Sequence, residues 1–435
     1  MKNTALFLSL VALAANPALA ADPSTIDWTK IPVKNVKLFY PGQSSYEWLL
    51  TAEHKKGNKA VPSGRACLTC HEDDEANMGN KLVKAGTLEP TPLAGKAGTI
   101  DLAVQAAHDD KNLYLRFQWA TQAKGPGDAY PHLRFDGKEW KPYGAQRLAK
   151  AVREGKMQAV YEDRLSLMID DGKVKNFDKQ GCWITCHNGM RDMPAEATKE
   201  QLAANPLLQK RSDVRKYLPA TRAENGTWDK TKSAEEIAKL KADGGFVDLI
   251  QWRAHRSHPV GMADDGYVLE WRNFDAGSNM FGSNADAKTH QPRYMWDEKK
   301  VGYKSTAADQ LRKRDHFLIE GENMVPFDTN AGWKEGDLIP DYYLTRDGAK
   351  GSAADNRTIA SWKDGVWTVL LIRPLGLTNP DDKALRHGAV YNVGFAVHDD
   401  SITTRGHHVS FVRTLGFGVK ADIQAIKLPL AVRTG

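Results

Sequence analysis

The sequence has few cysteines, little net charge and no long apolar run beyond its first residues. Four cysteines in 435 residues are too few for a disulfide-rich scaffold. The formal net charge is only +6 and the lysines and arginines are dispersed, which argues against a nucleic-acid partner. After residue 20, no apolar stretch is long enough to span a bilayer. The chemistry of this globular chain must therefore come from a small number of residues.

The first 20 residues have the three parts of a secretory signal peptide. Lys2 supplies the positive charge, residues 5–15 form the apolar stretch, and Ala18-Leu19-Ala20 is a small-x-small cleavage pattern. The apolar stretch is too short for a membrane anchor. We therefore predict cleavage before Ala21 and a soluble, periplasmic mature protein.

All four cysteines lie in two short motifs that end in histidine. The first, Cys67-Leu68-Thr69-Cys70-His71, is the attachment signature of a c-type haem. The second, Cys182-Trp183-Ile184-Thr185-Cys186-His187, has one more residue between its cysteines. In each motif the two thiols would form thioethers with the porphyrin, and the following histidine would bind the iron. The sequence therefore predicts two covalently attached haems c, with His71 and His187 as proximal ligands.

Zinc, a disulfide and a redox dithiol are the alternatives to haem. A zinc site would need all four thiolates to converge, which leaves both histidines unexplained. A disulfide between Cys182 and Cys186 is the stronger alternative, because an exported protein meets an oxidising environment.

The second axial ligand of the first haem must come from outside its motif. His54 is the nearest histidine that could fold back towards Cys67, and Met78 is its competitor. The choice matters because a Met/His pair raises the potential of a haem.

From about residue 97, short segments alternate apolar and polar residues in the manner of half-buried strands. Leu113, Leu115, Phe117 and Trp119 are one example, and Asp109 to Asn112 forms the turn before them. We predict a mainly β protein, with an antiparallel β-sandwich over residues 97–435 whose last long strand runs from His407 to Phe417. A helical insert is predicted at about 195–243 and a loop-rich insert at about 275–345. For residues 21–96 we predict a small α-helical module of the cytochrome c type around the first motif.

Several of these segments resemble the haem-binding subunits of ethylbenzene dehydrogenase and dimethyl sulfide dehydrogenase. They are residues 100–119, 248–254, 372–375, 394–399 and 406–410. The resemblance covers most of residues 97–425 and implies a β-sandwich that holds one haem between its sheets. It also implies electron exchange with a molybdenum oxidoreductase or another periplasmic redox protein. Family members bind a b-type haem through a Met and a Lys or similar ligand, whereas this chain has Cys182, Cys186 and His187 in the expected Met region.

The resemblance places a further haem ligand near the last strand, where this chain has His407 and His408. Alternation puts His407 on the same face as Val409 and Phe411, which favours His407 as the inward ligand. Weaker candidates are Met190, Met193, His255, His258 and Met262. Structural or surface roles are predicted for His108, His132, His290, His316, His387 and His398.

Together these observations predict a periplasmic dihaem c-type cytochrome that transfers electrons and, with both irons saturated, catalyses no reaction. The alternative is a haem enzyme with one open axial position, acting on peroxide, nitrogen oxides or sulfur compounds. A third hypothesis is a haem-based sensor module.

Overall fold

The computed structural model describes residues 21–121, 130–187, 197–209, 214–224, 228–311, 317–377, 379–403 and 406–429. The predicted signal peptide lies outside the described residues, as do Met190, Met193 and His316. Strands dominate the rest, and this confirms the prediction of a mainly β protein.

The strands are short, apart from a few long ones in the main sheet. In chain order they are β1 (Lys34–Phe39), β2 (Thr99–His108), β3 (Asn112–Ala120), β4 (His132–Phe135), β5 (Trp140–Tyr143), β6 (Arg164–Asp170), β7 (Val247–Arg253), β8 (Gly266–Val268), β9 (Arg272–Phe274), β10 (Phe281–Ser283), β11 (Tyr294–Trp296), β12 (Met324–Pro326), β13 (Leu338–Pro340), β14 (Tyr342–Leu344), β15 (Arg357–Lys363), β16 (Val366–Pro374), β17 (Val390–His398), β18 (His408–Val409), β19 (Arg413–Phe417) and β20 (Ile423–Lys427).

The helices are brief, and four of the α-helices surround the first cysteine motif. The α-helices are α1 (Tyr46–Leu49), α2 (Gly57–Ala60), α3 (Leu68–His71), α4 (Glu75–Leu82), α5 (Lys150–Arg153), α6 (Phe177–Gln180), α7 (Lys199–Ala204), α8 (Ala234–Ala242) and α9 (Glu298–Val301). The 3₁₀ helices are Pro23–Thr25, Trp28–Lys30, Ala52–His54, Gly181–Thr185, Pro219–Thr221, His258–Val260, Ala308–Gln310 and Ser352–Ala354. Among the described residues, none of these helices is both long and apolar enough to cross a membrane.

One large hydrogen-bonded sheet folds over on itself to give the two layers of the sandwich. Its strand order is β15-β16-β3-β2-β1-β18-β17-β6-β7-β8-β9, and β19 and β20 connect β17 back to β2. Neighbours along this order are antiparallel, whereas β20 runs parallel to β19 and to β2. The predicted hairpin joins β2 to β3, and the Asp109 carboxylate accepts hydrogen bonds from the backbone of Lys111 and Asn112 in its turn. The predicted antiparallel sandwich is confirmed.

The space between the two layers is filled by side chains. Residues of β2, β3 and β16 on one layer pack against residues of β6, β7 and β17 on the other. Aromatic contacts cross the layers, with ring centroids 5.8 Å apart for Phe117 and Phe395 and 5.9 Å apart for Trp119 and Trp252. The alternation read from the sequence therefore marks this inter-sheet core.

A third layer covers the outer face of the β6–β7–β17 sheet. Here a second apolar cluster joins Met168 and Leu249 of the sheet to helical segments before and after it in the chain. Trp183, Leu218 and Ile237 belong to this cluster, and Cys67 and Cys182 pack against it. Both cysteine motifs therefore lie on the outer side of this sheet.

The N-terminal segment also contributes to the sandwich itself. Strand β1 pairs with β2 along its length, from Lys34↔Val104 to Phe39↔Thr99, and meets Val409 of β18 on its other side. The helical module around the first motif thus begins with a strand of the main sheet.

The last long strand predicted from His407 to Phe417 is divided. Strand β18 pairs with β1 and β17, whereas β19 pairs with a different part of β17 and with β20. The prediction of one continuous strand is therefore wrong, because the chain changes neighbours between Val409 and Arg413.

Candidate functional site

The first cysteine motif lines a cavity of about 1120 Å³, here called the first cavity. Helix α3 places Cys70 and His71 one turn after Cys67, and the His71 amide donates to the Cys67 carbonyl at 3.0 Å. His54 and Met78 line the same cavity from other segments. The structure therefore brings together every residue that the sequence predicted for the first haem.

The rings of His54 and His71 lie nearly parallel to each other in the wall of the first cavity. Their centroids are 6.3 Å apart and their planes differ by 8°. Two imidazoles bound to one metal from opposite sides would have centroids roughly 6 Å apart, because each metal–nitrogen bond is about 2 Å long. The observed pair fits an iron held between two histidines.

Neighbouring groups orient both rings. His54 Nδ1 lies 2.9 Å from the Leu49 carbonyl, a bond in which Nδ1 donates and Nε2 is left as the ligand atom. His71 Nδ1 lies 3.5 Å from a carboxylate oxygen of Asp74. His54 thus has an outer hydrogen-bond partner of the kind that metal-binding histidines use, whereas His71 Nδ1 has the Asp74 carboxylate within ion-pair distance and makes no hydrogen bond within the described part of the chain.

Gly57 allows the His54 ring to occupy this position. A Cβ at residue 57 would overlap three ring atoms of His54: Cε1, Nδ1 and Nε2. Sequence reasoning missed Gly57, because the only signal was a glycine three residues after a candidate ligand.

Met78 lines the first cavity from α4 and packs against the apolar cluster that contains Trp183. Its packing is explained by that cluster, whereas the parallel arrangement with His71 belongs to His54. The geometry favours His54.

The second motif lines a separate cavity of about 280 Å³, here called the second cavity. Cys182, Cys186 and His407 share its wall. Lys216 Nζ lies 3.2 Å from Cys186 Sγ. A hydrogen bond from Cys182, together with the charge of Lys216, holds the pKa of Cys186 well below its usual range. No disulfide joins any of the four cysteines in this structure.

The second cavity lies on the outer face of the sheet. Ser166, Met168 and Gln251 line it, whereas their neighbours Leu167 and Ile250 belong to the inter-sheet core. The resemblance implied a haem between the sheets, whereas this cavity lies outside the inter-sheet core, and where a haem binds stays a prediction. The aromatic side chains that meet between the two layers already fill that space.

The two adjacent histidines at the last strand face different surroundings. His407 lines the second cavity, where its ring stacks on His398 with centroids 4.5 Å apart. Burial holds the pKa of His407 well below its usual range, so the ring is neutral and able to bind a metal. His408 Nε2 instead lies 2.9 Å from the Ala97 carbonyl. His398, for which a structural role was predicted, is therefore part of the cavity wall.

His187 lies outside the second cavity. Its Nδ1 is 2.6 Å from Glu47 Oε1, its Nε2 is 2.7 Å from the Tyr217 carbonyl, and its ring stacks on Tyr217 at 3.4 Å. In this arrangement both ring nitrogens are engaged. Ligation of an iron by His187 stays a prediction, and it requires the ring to leave one of these partners.

Basic residues that sequence reasoning missed line the second cavity: Arg164, Arg215, Lys216 and Arg272. Arg164 pairs with the buried Glu162 at 3.1 Å, and Arg256 pairs with the same carboxylate at 2.8 Å. Such cations fit a ligand that carries carboxylates. Only alternation along β6, which puts Arg164, Ser166 and Met168 on one face, could have indicated this.

The two cavities are neighbours. The Cys67 amide donates to the Lys179 carbonyl at 3.0 Å, just before the second motif. Trp183, which lies between Cys182 and Cys186 in the sequence, lines the first cavity together with Phe411. The wall of one site is therefore built from the motif of the other.

The weaker ligand candidates lie elsewhere. His255 packs against Phe317, His258 packs against Trp252, and Met262 belongs to a separate apolar cluster. None of these three lines either cavity among the described residues.

The fold and the sites define a β-sandwich protein with two neighbouring cavities, each lined by paired thiols and histidine. Comparison with known proteins gives the family: the sequence model of ethylbenzene dehydrogenase matches residues 25–410, so the chain belongs to the ethylbenzene dehydrogenase family. A similar protein is cytochrome c-552 of Stutzerimonas stutzeri, 26% identical over 420 residues, which are 96% of each chain. Cytochrome c-551 of Rhodocyclus tenuis is 26% identical over 266 residues, 61% of this chain and 90% of that protein.

Proposed function

We propose that this chain is a periplasmic dihaem c-type cytochrome that transfers electrons between redox proteins. The names of the two similar cytochromes support a covalently bound haem. The family supports a molybdenum oxidoreductase as one partner. When bound, each haem would supply an iron that accepts and releases one electron.

The contact between the two cavities is the observation that carries the proposal. Trp183 belongs to the second motif and forms a wall of the first cavity, where Phe39 stacks on it with centroids 5.5 Å apart. Two cofactors held by these thiols would be near neighbours, with aromatic side chains such as Trp183 and Phe39 close to both motifs. Such proximity serves electron transfer, whereas separate sites would each need their own partner.

The residues of each cavity have distinct roles in this proposal. Cys67 and Cys70 would attach the first haem, and His71 and His54 would bind its iron. Two histidine ligands would keep its potential below that of a Met/His site. At the second site, Cys182 and Cys186 provide the attachment, His407 the ligand from the sheet and His187 the ligand from the motif. The basic side chains of the second cavity would bind the porphyrin carboxylates.

A second candidate function is a haem enzyme with one open axial position. It is favoured by the position of His187, whose nitrogens are bonded to Glu47 and Tyr217 rather than directed into the second cavity. In that case His407 alone would hold the second iron, and the basic wall would attract an anionic substrate.

Intact mass and carbon monoxide binding separate these functions. We expect mature protein from the periplasm to carry two haem masses, and the Cys182→Ala/Cys186→Ala double variant to carry one. For an electron carrier, the reduced spectrum should change little under carbon monoxide. A single haem mass in the wild-type protein contradicts the dihaem proposal and favours a disulfide between Cys182 and Cys186 instead. A large spectral shift at one of two haems supports the enzyme.

A further inference from the structure

A group of carboxylates, all buried except the half-buried Asp355, lies at one end of the sandwich, apart from both cysteine motifs. It gathers aspartates from β7, from the turns beside β8 and β9, from the segment after Ser352–Ala354 and from the loop before β17. The members are Asp248, Asp265, Asp275, Asp355, Asp381 and Asp382. Carboxylate oxygens of Asp275, Asp381 and Asp382 lie within 4.8 Å of one another, and all three residues are buried.

Asp275 is the unusual member of this group. Its side chain is 6% exposed, and neither carboxylate oxygen has a hydrogen-bond partner among the described residues. By contrast, Asp381 accepts hydrogen bonds from the Ala276 amide and the Ser352 hydroxyl, both at 2.8 Å. A buried carboxylate with two free oxygens is costly, because its desolvation is not offset by any donor.

The charge of the group is poorly balanced. Within the described part of the chain, the ion pairs of these six aspartates go to Arg373 alone, which contacts Asp248 at 2.7 Å and Asp382 at 3.4 Å. Burial and the neighbouring carboxylates raise the pKa of Asp275 to about 9 and that of Asp355 to about 7. The site therefore needs either protons or a cation.

We propose that Asp275, Asp381 and Asp382 bind a calcium ion that ties the two layers of the sandwich together. The donors are all oxygens, which suits a hard cation and excludes the nitrogen and sulfur set that zinc prefers. Calcium bonds of about 2.3–2.6 Å allow one ion to reach oxygens spread over this distance. An oxygen of Asp275 lies within 4.8 Å of oxygens of Asp381 and Asp382, and neither Asp275 oxygen has a hydrogen-bond partner among the described residues.

Calcium binding by the full-length haem-loaded protein tests the proposal. Protein stripped with EGTA is titrated with calcium chloride, and with magnesium chloride for comparison, while bound metal and Tm are measured. We expect one calcium per chain and a Tm rise of about 2–5 °C at a hundredfold excess over Kd, with a smaller response to magnesium.

The Asp275→Asn variant should differ from the wild type in Tm according to whether calcium is present. A purely structural role of Asp275 would not give this dependence on calcium. Without calcium and near neutral pH its Tm should match that of the wild type, because Asp275, with a pKa of about 9, is then protonated and carries no charge. With calcium its Tm should fall below the wild type, and its calcium affinity should drop at least about tenfold. Asp347→Asn, at an exposed aspartate outside the group, is the matched control and should respond as the wild type does. Wild-type protein that retains no calcium and shows no Tm change at millimolar calcium overturns the proposal, as does an equal response of Asp275→Asn.

Discussion

Replacing Gly57 with alanine tests whether His54 is an axial ligand of the first haem. The new Cβ would overlap the His54 ring. To restore ordinary contact at about 3.5 Å, the ring must move by roughly 1 Å. A metal–nitrogen bond is only about 2 Å long, so a displacement of that size breaks the ligation. Alanine favours a helix over glycine by up to about 1 kcal/mol, so a lost ligand would not reflect melting of α2.

The assay is the spectrum of the reduced protein with and without carbon monoxide, together with electron paramagnetic resonance of the oxidised protein. Wild-type protein should bind little carbon monoxide. Gly57→Ala should bind it at the proposed first haem and should show a new high-spin iron signal. The fraction of haem that binds carbon monoxide should equal the fraction that gives the high-spin signal, because both measurements report the open position left by His54.

Gly86→Ala is the matched control. Gly86 lines the same cavity, but a Cβ there meets nothing within 4 Å, so this variant should behave as the wild type does. If Gly57→Ala keeps the wild-type spectrum, His54 does not ligate the iron and Met78 becomes the candidate. If both variants open the haem equally, the effect is not specific to the His54 ring.

Two further predictions concern the second site and its buried charges. His407→Ala should open the proposed second haem to carbon monoxide. His408→Ala should leave the spectrum unchanged and lower the free energy of unfolding in urea by about 1–3 kcal/mol, because the Ala97 carbonyl loses its donor. The reverse pattern would exchange the roles of the two histidines. Burial raises the pKa of Glu162, but Arg256, Arg164 and Arg253 outweigh it and hold the pKa at about 2, against 4.5 for the free group. The resulting stabilisation of about 3 kcal/mol is complete above pH 4.5 and is lost as the pH falls from 4.5 towards 2. Urea unfolding should therefore show a stability gap between the wild type and Glu162→Gln that narrows from pH 6 to pH 3, and a constant gap would refute this account.

The sequence predicted the two motifs, the sandwich and the residues of the first cavity because each depends on short-range patterns. The position of the second cavity was not predictable in this way. All seven residues of β6 are buried, so its pattern indicates two covered faces without indicating what covers each one. The cover comes from segments far away in the chain, including Trp183 and the helical insert.

The direction of individual side chains could not be predicted from the sequence either. His187 follows Cys186 directly, yet its ring turns towards Glu47 and Tyr217, two residues from other segments. The contact between Gly57 and His54 depends on how α2 folds back on the preceding 3₁₀ helix. The aspartate group also joins four separate segments, so no spacing rule could have revealed it.

The position of β1 limits how this protein can be divided. Its backbone pairs with β2 on one side and with β18 on the other. Removing residues up to 96 would therefore expose the unpaired edges of β2 and β18, and exposed strand edges promote aggregation. The region that carries the first motif therefore cannot be removed without disrupting the main sheet. This region should unfold together with the sandwich in one cooperative transition. An exchange of this region between related proteins would have to include β1.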